Sequence, residues 1–393
     1  MQFAGRADMP RTGTSCQRAF FVFITFIGLL GIGGSWAFPA SRLIFPRASF
    51  DTGTITGIAL VNPAGQDAQV TLTLRGPDGS LLTGTGITNP ARFTVGKGKQ
   101  LAQLLDEWFH AKLPADRVGW VEVTSPSDGI TGFFLFLNLA GTQFDGADLP
   151  EAAPEIIFNQ IEAGEGASTE LSLVNPGSAG TEVTLRLVGP AVPPAGKTIN
   201  LPAGGMARLD ASQFFGLTQI PNSCYVRVIA EAPVAGFEFV KSSKGDLIGL
   251  NAQHERLQLS EIYFPQMAVQ GPWKTEIGLV NYTASPVILT ITAFQADGTK
   301  FGTDQLNTNP VTRSLDKFGA MRADVAELFG FKGDQVRDGW IQVTASSPAI
   351  NGYIRYGLPE TGSVALVAAP AEGTTRALFS HIATVSGFFS GCP

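Results

Sequence analysis

One pattern constrains this chain more than any other: a strand, a tight turn and a second strand that occur three times. The clearest copy reads Asp338-Gly339-Trp340-Ile341-Gln342-Val343-Thr344, then Pro348-Ala349-Ile350-Asn351-Gly352-Tyr353. An earlier copy reads Val118-Gly119-Trp120-Val121-Glu122-Val123-Thr124, then Pro126 and Gly129-Ile130-Thr131-Gly132-Phe133. Between them lies Ser223-Cys224-Tyr225-Val226-Arg227-Val228, then Pro233-Val234-Ala235-Gly236-Phe237. Trp120, Tyr225 and Trp340 stand 105 and 115 residues apart, one small domain at each step. A repeat of that period governs how every other residue is read.

Each repeat unfolds in the same order. The first opens at Leu43-Ile44-Phe45-Pro46 and reaches Gly57-Ile58-Ala59-Leu60-Val61-Asn62-Pro63, where Asn-Pro ends a strand. Val70, Leu72 and Leu74 then alternate onto one face. Leu101, Leu104, Leu105 and Trp108 fall at i, i+3, i+4 and i+7, the spacing of a short amphipathic helix. The second repeat carries Leu171-Ser172-Leu173-Val174-Asn175-Pro176, and the third Gly278-Leu279-Val280-Asn281. Met321, Val325 and Leu328 repeat the helical stripe, and Asn309-Pro310 mirrors Asn89-Pro90. Phe109 and Phe329 both stand eleven residues before the strand tryptophan. Trp120 and Trp340 are therefore expected between the sheets of a sandwich, with Trp108 also in the core.

This grammar resembles tandem β-sandwich modules of secreted and cell-surface bacterial proteins, largely uncharacterised. The resemblance covers essentially the whole mature chain and implies a fold without implying an activity. The second repeat departs from it at Cys224 and Tyr225, which replace Gly and Trp.

The N-terminus sets the compartment. Arg6, Arg11 and Arg18 precede an uncharged stretch from Ala19 to Ala40, and Ser35-Trp36-Ala37 closes it with small residues at alternate positions. Basic, apolar, small-x-small is the order of a secretory signal, so residues 1–37 are expected to be removed and Phe38 to begin the mature chain. An uncleaved membrane anchor is the alternative, since 22 uncharged residues can span a bilayer. Cleavage would leave a formal charge of −8 and only Cys224 and Cys392; a bridge between them is open, and nothing in their spacing requires it.

Composition narrows the function classes. Charged residues make up 15% of the chain, and the net charge of −6 offers no basic footprint for nucleic acid. His110, His254 and His381 sit in three different contexts, and His254-Glu255 lacks the second histidine of a zinc-protease helix. No nucleophile elbow, phosphate-cradling glycine loop or EF-hand loop occurs. Asp145, Asp148, Glu151 and Glu155 gather four carboxylates in a Gly/Pro-containing stretch read as a linker. They are candidate calcium ligands, against the simpler reading of a solvated acidic linker. Trp273, beside Gly271-Pro272, is the candidate for stacking on a sugar or a partner.

The chain is thus expected to be all-β: three tandem Ig-like β-sandwich domains, each with one short helix, after a signal peptide. The expected bounds are 1–37 for the signal, 42–150, 155–258 and 261–370 for the repeats, and 375–393 for the truncated start of a fourth. The expected function is a non-catalytic, secreted or cell-surface scaffold without a cofactor, its partners surface proteins or glycans, touching membrane only if the signal is uncleaved. The alternative is a set of carbohydrate-binding modules attached to a longer secreted enzyme.

Overall fold

In the computed structural model, residues 41–49, 53–111, 117–138, 140, 143–189, 196–221, 223–254, 259–360 and 363–369 are described. Among them are 24 strands and three short helices. The expected signal segment 1–37, Cys392, His381 and the expected start of a fourth repeat at 375–393 lie outside these residues.

The first repeat supplies β1 (Ser41–Ser49), β2 (Thr54–Asn62), β3 (Ala68–Arg75), β4 (Ala91–Val95), β5 (Lys99–Leu104), α1 (Leu105–Trp108), β6 (Val118–Ser125), β7 (Thr131–Asn138) and β8 (Phe144–Ala147). They form two sheets, β1-β6-β3-β4 and β5-β2-β7-β8. Alternation decides which face is inward: Val70, Leu72, Leu74, Val121 and Val123 from one sheet meet Ile58, Leu60, Phe134 and Phe136 from the other.

The second repeat supplies β9 (Ala153–Phe158), β10 (Ser168–Val174), β11 (Thr181–Val188), β12 (Gly196–Leu201), β13 (Met206–Asp210), α2 (Ala211–Phe215), β14 (Tyr225–Lys241), β15 (Leu247–Asn251) and β16 (Gln253–His254). The third supplies β17 (Glu261–Val269), β18 (Lys274–Asn281), β19 (Val287–Gln295), β20 (Val311–Leu315), β21 (Ala320–Asp324), α3 (Val325–Phe329), β22 (Arg337–Ala345), β23 (Ile350–Leu358) and β24 (Ser363–Ala368). Its sheets, β17-β22-β19-β20 and β21-β18-β23-β24, repeat the strand order of the first. In the second repeat the two sheets are fused, because β14 runs unbroken for 17 residues where the others turn. The first repeat turns here at Gly129, φ 80°, and the third at Ser346-Ser347-Pro348, whereas β14 runs straight through Glu231-Ala232-Pro233. The expected strand–turn–strand of this copy is therefore one strand, with a register shift against β9 between Ile229 and Val234.

Two other expectations need correction. The helical stripes are half strand: Leu101 and Leu104 belong to β5 and Met321 to β21. Backbone pairing to β2 and β18 holds these segments extended, so helix begins only at Leu105 and Val325. In the second and third repeats the change is set by a cap, Asp210 Oδ1 accepting from Gln213 N at 2.9 Å and Asp324 Oδ1 from Glu327 N at 3.1 Å. The presumed linker is also built into sheet, with β8 on β7 and β9 on β14.

The recurring Asn of each repeat acts as a buried staple. Asn281 Nδ2 donates to Ser285 O and Asp316 O, both at 2.8 Å, while its Oδ1 accepts from Thr283 N at 3.0 Å. Asn62 and Asn175 make the corresponding bonds to Gln66, Val95 and Ala64, and to Ala179, Leu201 and Gly177. All three are 0% exposed. The Asn281-Tyr282-Thr283 sequon is accordingly a turn, its amide already committed to backbone.

Asn281→Ala would leave buried carbonyls unpaired and is expected to destabilise the protein by about 2–3 kcal/mol. Denaturant unfolding reads this directly; an unchanged midpoint would mean the amide bonds are dispensable.

Candidate functional site: the junctions between repeats

Residues on one sheet face of each repeat point away from their own core. On the first repeat these are Ile44, Arg75, Trp120 and Glu122, placed together by the pairs Ile44↔Glu122 and Arg75↔Trp120. Trp120 is 0% exposed, but its neighbours are Val174, Met206 and Ala235 of the second repeat. Its indole Nε1 donates to Gly204 O at 2.8 Å. Around the ring, Met206 N donates to Pro77 O at 3.0 Å and Arg42 Nη2 to Pro176 O at 2.5 Å. The expectation that Trp120 sits between its own sheets is overturned: alternation with inward Val121 and Val123 sends it outward, and the next repeat buries it. Trp108 does lie in the core, with Nε1 donating to Ile58 O at 3.2 Å.

Tyr225 occupies the same position on the second repeat and is buried with Ile157 against Val280 and Tyr282 of the third. Trp340 occupies it on the third. There the ring stacks on Phe294 at 4.1 Å and 8°, with Tyr263 at 6.4 Å, and stays partly exposed. It too points outward, against expectation.

A second set of contacts joins the repeats through the β10 and β18 sheets. Phe237 and Phe239 pack on Phe134 and Phe136 of the first repeat, with centroids 4.8 and 4.9 Å apart. Arg47, 3% exposed, donates to Glu170 at 2.8 Å and stacks over Phe239 at 4.2 Å, and Glu170 also accepts from Arg208. At the next junction the pair Arg322–Glu276 matches Arg208–Glu170, and the preceding repeat contributes Glu162 instead of an arginine. Glu162 lies 2.6 Å from Arg322 and 3.0 Å from Arg355. Burial pushes its carboxyl up, yet the two guanidinium groups outweigh burial and hold it below its ordinary value. Beside this cluster opens a polar cleft of about 770 Å³ bearing Lys244, Asp246 and Lys274. Sequence reading missed the cluster, since Glu162, Glu276, Arg322 and Arg355 come from four separate segments and none belongs to a motif.

The candidate ligands do not converge. Asp145 accepts from Gly249 N at 3.0 Å and Gly146 N at 2.9 Å. Asp148 accepts from Asn251 at 2.7 Å, Glu151 faces His254 at 3.1 Å, and Glu155 pairs with Arg227 at 2.9 Å. Among the described residues no three His, Cys, Asp or Glu side chains gather as a metal site. Trp273 is partly exposed at a tight turn closed by its own N–H to Gln270 O at 3.2 Å. Cys224 is buried, which pushes its thiol up to about 11.

Asp145 belongs to β8, whose neighbour β15 supplies the Gly249 amide. Burial raises its carboxyl to about 7 even though the residue keeps some surface. Burial raises Asp148 and Glu238 as well. The folded state therefore holds protons that the unfolded chain has released above about pH 4. The stability that Asp145 contributes in this way is complete below that value and is lost as pH rises through about 7; Asp148 and Glu238 act in the same direction. Glu162 has the opposite sign, and its contribution fades only on the acid side. The melting temperature is expected to fall between about pH 4.5 and 7.5, with a shallower slope in Asp145→Asn. Equal slopes in the two proteins would remove Asp145 from the titration.

Trp120→Ala should cost about 3–5 kcal/mol, and Trp340→Ala distinctly less, because only the first ring is enclosed. Paired unfolding curves test the ranking; equal losses would place both rings in equivalent surroundings.

No curated protein matches the chain. Residues 28–310 match a family of unknown function, DUF5719. That span takes in the first two repeats and the opening of the third, including Asn281 and Asn309, and the chain belongs to this family.

Proposed function

We propose that the chain is a non-catalytic, exported scaffold of three Ig-like β-sandwich domains, residues 42–150, 155–258 and 261–370, that offers loops and sheet faces to surface proteins. The observation that carries this reading is the use of outward aromatic positions. Trp120 and Tyr225 are committed to joining one repeat to the next, which suits a spacer whose repeats hold a fixed relation. Export rests on the basic, apolar, small-x-small order of residues 1–37.

Two measurements test the proposal. Intact mass of the exported protein should correspond to a chain beginning at Phe38; a full-length, membrane-extracted species would replace the signal with an anchor. Screening the purified chain against surface proteins should give binding that survives alanine at His110 and His254. Hydrolytic turnover lost with either histidine would overturn the non-catalytic reading.

The partial exposure of Trp273 favours a second reading, carbohydrate-binding modules of a longer secreted enzyme. A glycan array on wild type and Trp273→Ala separates the two, since specific sugar binding lost in the variant supports the second.

A further inference from the structure

Trp340 stands at the centre of a face whose two counterparts are covered, and the repeat supplies the shape of what covers them. At the first junction the turn of Gly79, φ 81°, meets the turn of Gly204, φ 64°. The two glycines touch so closely that a Cβ on Gly79 would run into Ala203 O. The same hydrogen bonds define both turns elsewhere. Gly298 N to Gln295 O at 3.0 Å matches Gly79 N to Gly76 O at 3.0 Å. Lys99 N to Gly96 O at 3.0 Å matches Gly205 N to Pro202 O at 2.9 Å. Gly298 of the third repeat (φ 83°) is thus the counterpart of Gly79, and Gly98 of the first repeat (φ 62°) the counterpart of Gly204. Neither has an atom within 4 Å of its Cβ position among the described residues.

Among the described residues the chain therefore displays both halves of one junction, one on the third repeat and one on the first. The donating half is the Trp340 face with Tyr263, Phe294 and the Gly298 turn. The accepting half is the corner of Val61, Pro63 and Gly98, which corresponds to Val174, Pro176 and Gly204. The second junction is of another kind: Tyr225 meets a repeat carrying Tyr282 and Phe318 where the first junction has Pro176 and Gly204. Among the described residues a tryptophan facing a glycine turn occurs once within the chain, and the two open halves are again a tryptophan and a glycine turn. Their charges are opposite. Lys97 and Lys99 are exposed on the glycine turn, and Asp297 is exposed on the Gly298 turn that would meet it.

We propose that copies of this chain associate head to tail, the Trp340 face of one seating on the Val61–Pro63–Gly98 corner of the next. The contact would reproduce the Trp120 junction, with the Trp340 indole donating to the Gly98 carbonyl of the neighbouring copy. Such an interface joins two different surfaces, so association continues beyond a dimer unless the rotation closes a ring. The inference goes beyond the scaffold proposal and does not depend on which ligand the chain binds.

Sedimentation velocity of the full chain over a wide concentration range tests it. The wild type should form species larger than a dimer as concentration rises. Trp340→Arg removes the donating half and Lys97→Glu/Lys99→Glu the accepting half; each alone should weaken association at least tenfold. Mixed together, the two variants retain one good half each and should give a heterodimer that grows no further. Adding Asp297→Lys to the lysine variant should restore assembly, which excludes misfolding as the cause of its loss. A wild type that stays monomeric throughout would overturn the proposal, as would assembly indifferent to both half-site variants or a mixture that stays monomeric.

Discussion

At both internal junctions of this protein, the sheet face with an aromatic ring at its centre is covered by the next repeat. Trp120 lies outside the core of the sheets that carry it, yet it is as completely enclosed as any core residue. The enclosure combines a large apolar area with one directed bond, the indole N–H to the Gly204 carbonyl, so the neighbour is fixed in position as well as held. The Asn62, Asn175 and Asn281 staples serve the same end. Each ties the turns at one end of its sheet into a firm corner, and the corners of Asn175 and Asn281 are what the preceding repeat's aromatic meets.

The sequence made strands, turns and the threefold period visible because these are local. Alternation in Val70-Thr71-Leu72-Thr73-Leu74 assigns an inward face, and that face is buried in the structure. Burial direction at Trp120 was also readable, since Val121 and Val123 are the better inward pair, but the prior for a buried tryptophan hid it. The ring is indeed buried; what the sequence could not show is that another repeat does the burying. The helical stripe misled for a related reason. Period 3.6 over Leu101 to Trp108 arises where a strand hands over to one helical turn, and only pairing with β2 separates the two.

The charged cluster around Glu162 was out of reach of any local pattern. Its members are separated by as many as 193 residues, and each looks unremarkable in its own segment. The acidic stretch from Asp145 to Glu155 shows the converse. Four carboxylates close in sequence suggested one site, but Asp145 on β8, Asp148 and Glu151 between the strands, and Glu155 on β9 each meet different partners, and proximity along the chain gave no proximity of function.

The junctions also differ in sign, and this bears on how repeats so alike avoid joining in the wrong order. By register, Arg355 of the third repeat stands where Phe239 stands in the second, since each lies opposite the glutamate of its sheet. Phe239 receives the guanidinium of Arg47, whereas Arg355 faces Glu162 and Asp246. Were the third repeat to dock directly on the first while the chain folds, Arg355 would confront Arg47 in a partly dehydrated space. Repulsion between like charges there is costly. Each repeat is thereby keyed to its own predecessor, a safeguard against the misassembly to which tandem repeats are prone.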